Sequence, residues 1–270
     1  MRLSNDGCER VDSVLDVTTC ASLRAHLRAR HAAARSAELL SCEAFFGRIA
    51  SPLDRRLDMR LSLASDAVRS ALRWAVAAVA PQVDAFLAAT DGDGRSGGVL
   101  CELSSLIALP AAARQPVHCD TTGDAAAIVT VFIALQDVTE EMGPTLVWPR
   151  THSRASLGLP ADVEWSGAAA RVRARAALDG SDAPFAATLP AGAALIMDSR
   201  LAHCGGENRS NTERILLYFS VRAASRPGAG STLSLLEEYS SHPLLVSFTI
   251  FFNLLFNMTE YFTNFLCYFF

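Results

Sequence analysis

Val117-His118-Cys119-Asp120-Thr121-Thr122-Gly123 is the stretch on which the reading of this chain turns. On an extended segment side chains alternate, so His118 and Asp120 point to one side and Cys119 to the other. The Thr-Thr-Gly that follows is turn chemistry and puts the pair where a strand gives way to a loop, at the rim of a sheet. Outward from it lie short β-rich runs at 99–109, 127–138, 145–148, 193–198 and 215–221. Gly123-Asp124, Gly143-Pro144, Gly158, Asp179-Gly180 and the 204–212 stretch with Gly205, Gly206 and Asn208 break the chain between them. Frequent turns of this kind belong to antiparallel sandwiches and barrels.

The N-terminal third has a different period. Val68, Leu72, Val76, Val79, Val83 and Leu87 recur three and four residues apart behind Ser65-Asp66, which predicts an amphipathic helix, with a kink or a restart at Pro81. A second helix is expected from a cap at Thr18 or Thr19 through Leu23 and Leu27 to Leu40. Helices first and strands afterwards make an α+β chain. The expected organisation is a helical region over 1–95, a β core over 96–225, and a linker with an atypical tail over 226–270. The segment 168–177 fits either a helix or an inserted loop.

Composition narrows the function classes. The 270 residues carry 24 basic and 28 acidic side chains, and every basic one is Arg, so lysine Schiff-base chemistry and the lysine phosphate loop are excluded. A net charge of -4 supplies no basic field for nucleic acid or an anionic membrane. Seven Cys without a C-x-x-C pair read as reduced thiols, and the charged start is not a secretory signal, so a cytoplasmic setting is expected. The tail is foreign to this body: residues 1–243 hold 45 Ala and residues 244–270 none, yet eight of the fourteen Phe fall there. A segment misjoined to the domain, a membrane anchor, and a packing segment are the readings open to it. Asp91, Asp93 and Glu102 mimic a calcium loop, but Arg95 and Ser96 stand where a ligand and the required Gly belong, so the segment is a linker.

The chemistry gathers around His118 and Asp120. His203 follows 85 residues later, directly after the apolar run 193–198. Two His and one carboxylate on β-structure are the facial set of non-haem Fe(II), and zinc accepts the same ligands. Arg214 then opens the apolar run Ile215-Leu216-Leu217-Tyr218-Phe219. A guanidinium at the mouth of a core strand needs an anionic partner, and 2-oxoglutarate has a distal carboxylate suited to a bidentate Arg.

With these residues in view the chain resembles the phytanoyl-CoA dioxygenase family of Fe(II)/2-oxoglutarate oxygenases. The resemblance rests on Arg114-Gln115-Pro116-Val117-His118-Cys119-Asp120-Thr121, on Met142-Gly143-Pro144-Thr145-Leu146-Val147-Trp148-Pro149-Arg150-Thr151-His152, and on the stretch from Asp198 through His203 to Arg214. It implies a double-stranded β-helix (jelly-roll, cupin-like) core with N-terminal helices packed on it. It also implies iron on His118, Asp120 and His203, 2-oxoglutarate on Arg214, and O2-dependent hydroxylation of a small molecule with release of succinate and CO2. Rival readings are a jelly-roll metalloprotein with non-oxidative chemistry and a binding protein that keeps the fold without turnover. Arg150 stands where the family's middle motif has Gly, which puts the turn conformation in question. His152 is expected to hold that turn or line the pocket, Cys119 to point away from the metal, and Cys204 to be able to face it. Trp148 and Phe132 are expected in the core. Arg171, Arg173 and Arg175 could meet acyl-CoA phosphates or form a solvated face.

Overall fold

The computed structural model describes residues 1–36, 55–91, 98–121 and 128–223. Its elements run α1 (Leu3–Asp6), β1 (Cys8–Val11), α2 (Val17–Ser36), β2 (Arg56–Arg60), α3 (Asp66–Asp91), β3 (Gly98–Ala108), β4 (Ile128–Ala134), β5 (Thr145–Val147), α4 (Gly167–Asp179), β6 (Phe185–Ala187), β7 (Ala194–Asp198), β8 (His203–Gly205) and β9 (Arg214–Ala223). One antiparallel sheet has the order β1-β7-β4-β9-β3-β2, and a smaller one has the order β6-β5-β8. The smaller sheet faces the inner side of the larger, the two-sheet architecture of a jelly roll.

Alternation along the strands sorts the core into two halves. On the outer face Val129, Val131, Ile133, Ile196, Leu217 and Phe219 pack against Leu23 and Leu27 of α2 and against Val68, Leu72, Val76, Val79, Val83 and Leu87 of α3. Each such side chain contributes about 1.5–3 kcal/mol on burial, enough to fix the helices on the sheet. On the inner face Phe132, Leu195, Met197, Leu216 and Tyr218 meet Val147, Ala187 and Leu189 from the second sheet and its flanks.

Three differences from the sequence expectations have physical causes, and some of the expectations fall outside the described residues. The N-terminal third is not purely helical, because β1 pairs with β7 and β2 with β3, closing both edges of the larger sheet. Asp16 caps α2 in place of Thr18 or Thr19: its carboxylate accepts from the Thr19 amide and hydroxyl, each at 2.7 Å. The stretch beyond Ser36, including Leu40, lies outside the described residues, as do residues 92–97 of the linker and the tail from 224 onward. Finally, α3 runs through Pro81 without a restart. Pro81 and Ala77 are both exposed, so water can take the carbonyl that proline leaves unbonded. This helix is long and apolar enough to cross a membrane, but half of its window is buried against the sheet.

Candidate metal centre

His118 and His203 are brought together by a single antiparallel bridge, with each amide donating to the other's carbonyl at 2.9 Å. Asp120 is fixed two residues on, where its amide and that of Thr121 donate to the Ser199 carbonyl at 2.9 and 3.1 Å. The Asp120 Oδ1 atom lies 3.7 Å from His118 Nε2 and 3.5 Å from His203 Nε2, and the three candidate ligand atoms all fall within 4.8 Å of one another. Both imidazoles are oriented from behind. His118 Nδ1 lies 2.8 Å from the Pro116 carbonyl and His203 Nδ1 lies 2.9 Å from the Leu201 carbonyl. A carbonyl only accepts, so Nδ1 carries the proton and Nε2 presents its lone pair toward Asp120. Burial lowers the pKa of His203, with the Asp120 carboxylate pulling the other way.

The loop that delivers His203 is held from several sides. Arg200 clamps the buried Asp198 carboxylate through Nε and Nη2, the Asp198 amide donates to Gly7 at 2.9 Å, and the Ala202 amide donates to the Thr151 hydroxyl at 2.9 Å. Arg171 belongs to this scaffold too. It is buried, donates to the Arg200 carbonyl, and lies 5.3 Å over the Trp165 ring. With Arg173 paired to Glu164 and Arg175 to Asp179, these three residues make no free basic patch for phosphates.

The three side chains open on a cavity of about 250 Å³, also lined by Arg56, Gln115, Phe132, Thr145, Arg214 and Tyr218. Arg214 is 2 % exposed and donates to the Gly143 carbonyl. Its Nε has no hydrogen-bond partner, and it forms no ion pair among the described residues. Burial, with the positive charge of Arg56 nearby, pushes its pKa down to about 9. The cost of burying that charge falls if an anion enters. Arg56 is a functional candidate that the sequence reading missed. It holds the Ala113 carbonyl at 2.7 Å and the Gly206 carbonyl from the same end of the cavity. The alternation Arg56-Leu57-Asp58-Met59-Arg60-Leu61 was the available signal, because it marks a strand with one polar face.

The remaining expectations divide. Arg150 takes the left-handed conformation, φ 70°, that the missing Gly would have taken, and its guanidinium pairs with Asp179, so the turn survives. His152 sits by that turn against Gly7 and faces a second cavity, not the one holding the three donors. Cys119 does point away, and Cys204 goes with it: both pack in an apolar cluster with Trp148 and Ala202. Burial pushes the Cys119 thiol up to about 11. Phe132 is pocket wall as well as core, its ring 5.6 Å from that of Tyr218.

Among proteins of curated function none matches the chain in sequence. Solved structures share the fold. The epimerase SnoN, crystallised with Fe3+, alpha ketoglutarate and nogalamycin RO, is 23% identical with a TM-score of 0.58, over 86% of this chain and 84% of its own. AviO1 from Streptomyces viridochromogenes Tue57 is 21% identical, TM-score 0.57, over 84% of this chain and 95% of its own. The non-heme alpha ketoglutarate dependent carbocyclase SnoK is 17% identical, TM-score 0.54, over 82% of this chain and 81% of its own. The profile of the phytanoyl-CoA dioxygenase (PhyH) family matches residues 3–216, from the first helix into the strand of Arg214, and the chain therefore belongs to that family.

Proposed function

We propose that the protein is a non-haem Fe(II)- and 2-oxoglutarate-dependent oxygenase that hydroxylates a C–H bond of a small molecule and releases succinate and CO2. The observation that carries this reading is one cavity holding two oriented imidazoles, a carboxylate and a buried guanidinium that no acidic side chain among the described residues pairs. The donor set fits a divalent iron, being two neutral nitrogens and one anionic oxygen on one side of a cluster that leaves the other side open. His118, Asp120 and His203 would hold the metal, while Arg214, with Arg56 beside it, would hold the distal carboxylate of the oxo acid. When bound, iron, the oxo acid and O2 supply the oxidising power needed to break a C–H bond. The chain's own contribution is orientation and exclusion of water. Carbonyls fix the imidazoles, the Asp198–Arg200 clamp fixes the His203 loop, and Leu106, Ile128 and Phe132 supply apolar wall. The absence of a C-x-x-C pair in the sequence is the ground for placing the protein in a reducing, cytoplasmic setting.

The test is anaerobic Fe(II) titration of the full chain, then O2 uptake and succinate release with 2-oxoglutarate. Parent protein should bind one iron and convert 2-oxoglutarate slowly even without substrate, and Asp120→Ala should lose the metal and the conversion together. Turnover that ignores 2-oxoglutarate, or iron retained by Asp120→Ala, would reject the reading. Stereoinversion or ring closure is the second reading, supported by the epimerase and carbocyclase among the structural neighbours. Product mass separates them, since hydroxylation adds an oxygen atom, stereoinversion changes nothing and oxidative ring closure removes two hydrogens.

A further inference from the structure

The paired segments that carry the three donors have a front and a back. Alternation sends His118, Asp120 and His203 to the cavity and Val117, Cys119, Ala202 and Cys204 to the opposite side. Leu146 of β5, which is paired with Cys204, and Trp148 join them there. The cover of this back is α4. Its Ala168 and Val172, four residues apart and so on one face of the helix, pack into the same cluster. The segment between β5 and β6 that contains α4 also has a small core of its own, Leu157, Trp165 and Ala174 with Leu159 and Val163. It is thus a unit that meets the metal ligands' strands through one helix face.

Arg171 stands on that face, between Ala168 and Val172, and is 3 % exposed. Its hydrogen bonds go to three carbonyls and not to a carboxylate. Nη1 donates to Arg200 at 2.5 Å and to Thr151 at 3.5 Å, and Nε donates to Trp165 at 3.3 Å. The guanidinium lies 5.3 Å over the Trp165 ring. Burying a charge is costly, and a methionine would fill similar space without that cost. What the guanidinium supplies is direction. Apolar packing is non-directional, so Ala168 and Val172 set how close α4 lies, while Arg171 sets where it is pinned. Both ends of the pin address His203. The Arg200 carbonyl is one residue before Leu201, whose own carbonyl orients His203 Nδ1, and the Thr151 hydroxyl accepts from the Ala202 amide at 2.9 Å.

We propose that Arg171 is a positioning residue for the metal centre, acting through the Arg200 and Thr151 carbonyls to place His203, with the segment between β5 and β6 as the backing of the site. This assignment rests on the reading of His118, Asp120 and His203 as metal ligands. Parent protein, Arg171→Met, Arg171→Lys and Leu157→Ala are compared as full chains in three measurements. These are anaerobic Fe(II) titration against a competing chelator, the visible ligand-field spectrum of the Co(II) form, and amide hydrogen exchange of residues 200–204 without metal. Leu157→Ala is the control, because it opens the small core of the segment and leaves the Arg171 contacts in place. Arg171→Met should lower Fe(II) affinity by about 10- to 100-fold, the range for a lost outer partner of a metal ligand, alter the Co(II) spectrum and speed the exchange. Arg171→Lys should recover part of this, since an ammonium cannot present the planar fork to separate carbonyls. Leu157→Ala should lose stability in urea while keeping parental iron affinity, spectrum and exchange. Parental iron affinity or parental exchange in Arg171→Met would overturn the proposal. An equal loss of iron affinity in Leu157→Ala would overturn it too, by reducing Arg171 to general support of the fold. Arg171→Gln stands in under the same criteria if Arg171→Met does not fold. Failure of the parent to bind iron would reject the ligand reading instead, and the exchange measurement, which needs no metal, would still decide this one.

Discussion

A guanidinium at 2 % exposure, with its Nε unpaired among the described residues and a second Arg beside it, carries a burial cost that an incoming anion would offset. Arg214→Ala should therefore raise the 2-oxoglutarate requirement while leaving iron in place. Losing one buried charge-assisted pair costs about 2–5 kcal/mol, or roughly 30- to several-thousand-fold in affinity. Arg214→Lys should recover only part of this, since an ammonium lacks the planar two-donor fork. Titration of 2-oxoglutarate beside iron content separates the outcomes: parental affinity in both variants would remove the cosubstrate assignment, and loss of iron would make Arg214 a strand anchor. Arg150 raises a different residue-scale question, because its φ of 70° strains any side chain with a Cβ. Its pairing with Asp179 is about a third exposed and contributes little. Arg150→Gly should leave stability unchanged or raise it by up to about 1 kcal/mol, and Arg150→Ala should lower it, having the strain without the ion pair. Urea denaturation of the two variants side by side checks the sign.

Strand β2 shows how an element can be legible and still be missed. Its alternation packs Leu57 and Met59 in the core cluster with the helices and puts Arg56 and Asp58 on the other face, where Arg56 lines the cavity, yet it stands in a helical third of the chain and spans only five residues. The Asp58 carboxyl is buried and accepts from the Tyr218 hydroxyl at 3.1 Å. Burial raises its pKa from 3.8 to about 6, with the Tyr218 hydrogen bond working the other way. The folded protein thus holds this proton more tightly than the unfolded chain does. The resulting stability is fully present below about pH 3.8 and is lost as pH rises through about 6, a swing on the order of 3 kcal/mol. Asp58→Asn removes it, so the variant should gain on the parent between pH 4.5 and 7.5; an unchanged difference across that range would mean Asp58 stays ionised. The strands that carried strong signals were continuous apolar runs bounded by turn residues, β3, β4, β7 and β9. Those without one, β1, β6 and β8, are three or four residues each and owe their pairing to partners far along the chain. His203 could be placed after an apolar run from sequence spacing, but its bridge to His118 is a tertiary contact that no local pattern encodes. The same holds for Arg56: its distance from Arg214 depends on β2, β3 and β9 lying side by side.

At the scale of the whole molecule, the first eleven residues strap the site from behind. β1 pairs along β7 as the edge strand of the larger sheet, the Gly7 carbonyl accepts the Asp198 amide at 2.9 Å, and the Asp6 carbonyl accepts the Arg150 amide at 2.7 Å. The N-terminus thereby touches both the middle motif and the loop that presents His203. Gly7 is the contact point. Its φ is +76°, and a Cβ there would stand 2.5 Å from His152 Nδ1 and 2.9 Å from Leu201 Cδ1. Gly167 supplies a control, with φ +78° and nothing within 4 Å of a built Cβ. Gly167→Ala should cost about 1 kcal/mol, the left-handed penalty alone. Gly7→Ala carries that penalty plus an overpacking cost of about 1–3 kcal/mol. Because the clash falls on Leu201, whose carbonyl orients His203, Gly7→Ala should also weaken iron binding, whereas Gly167→Ala should not. Thermal unfolding and Fe(II) titration of the pair decide it. Equal stability losses would mean that His152 and Leu201 yield without strain, and parental iron affinity in Gly7→Ala would mean that the N-terminal strap holds the sheet edge without positioning the metal ligands.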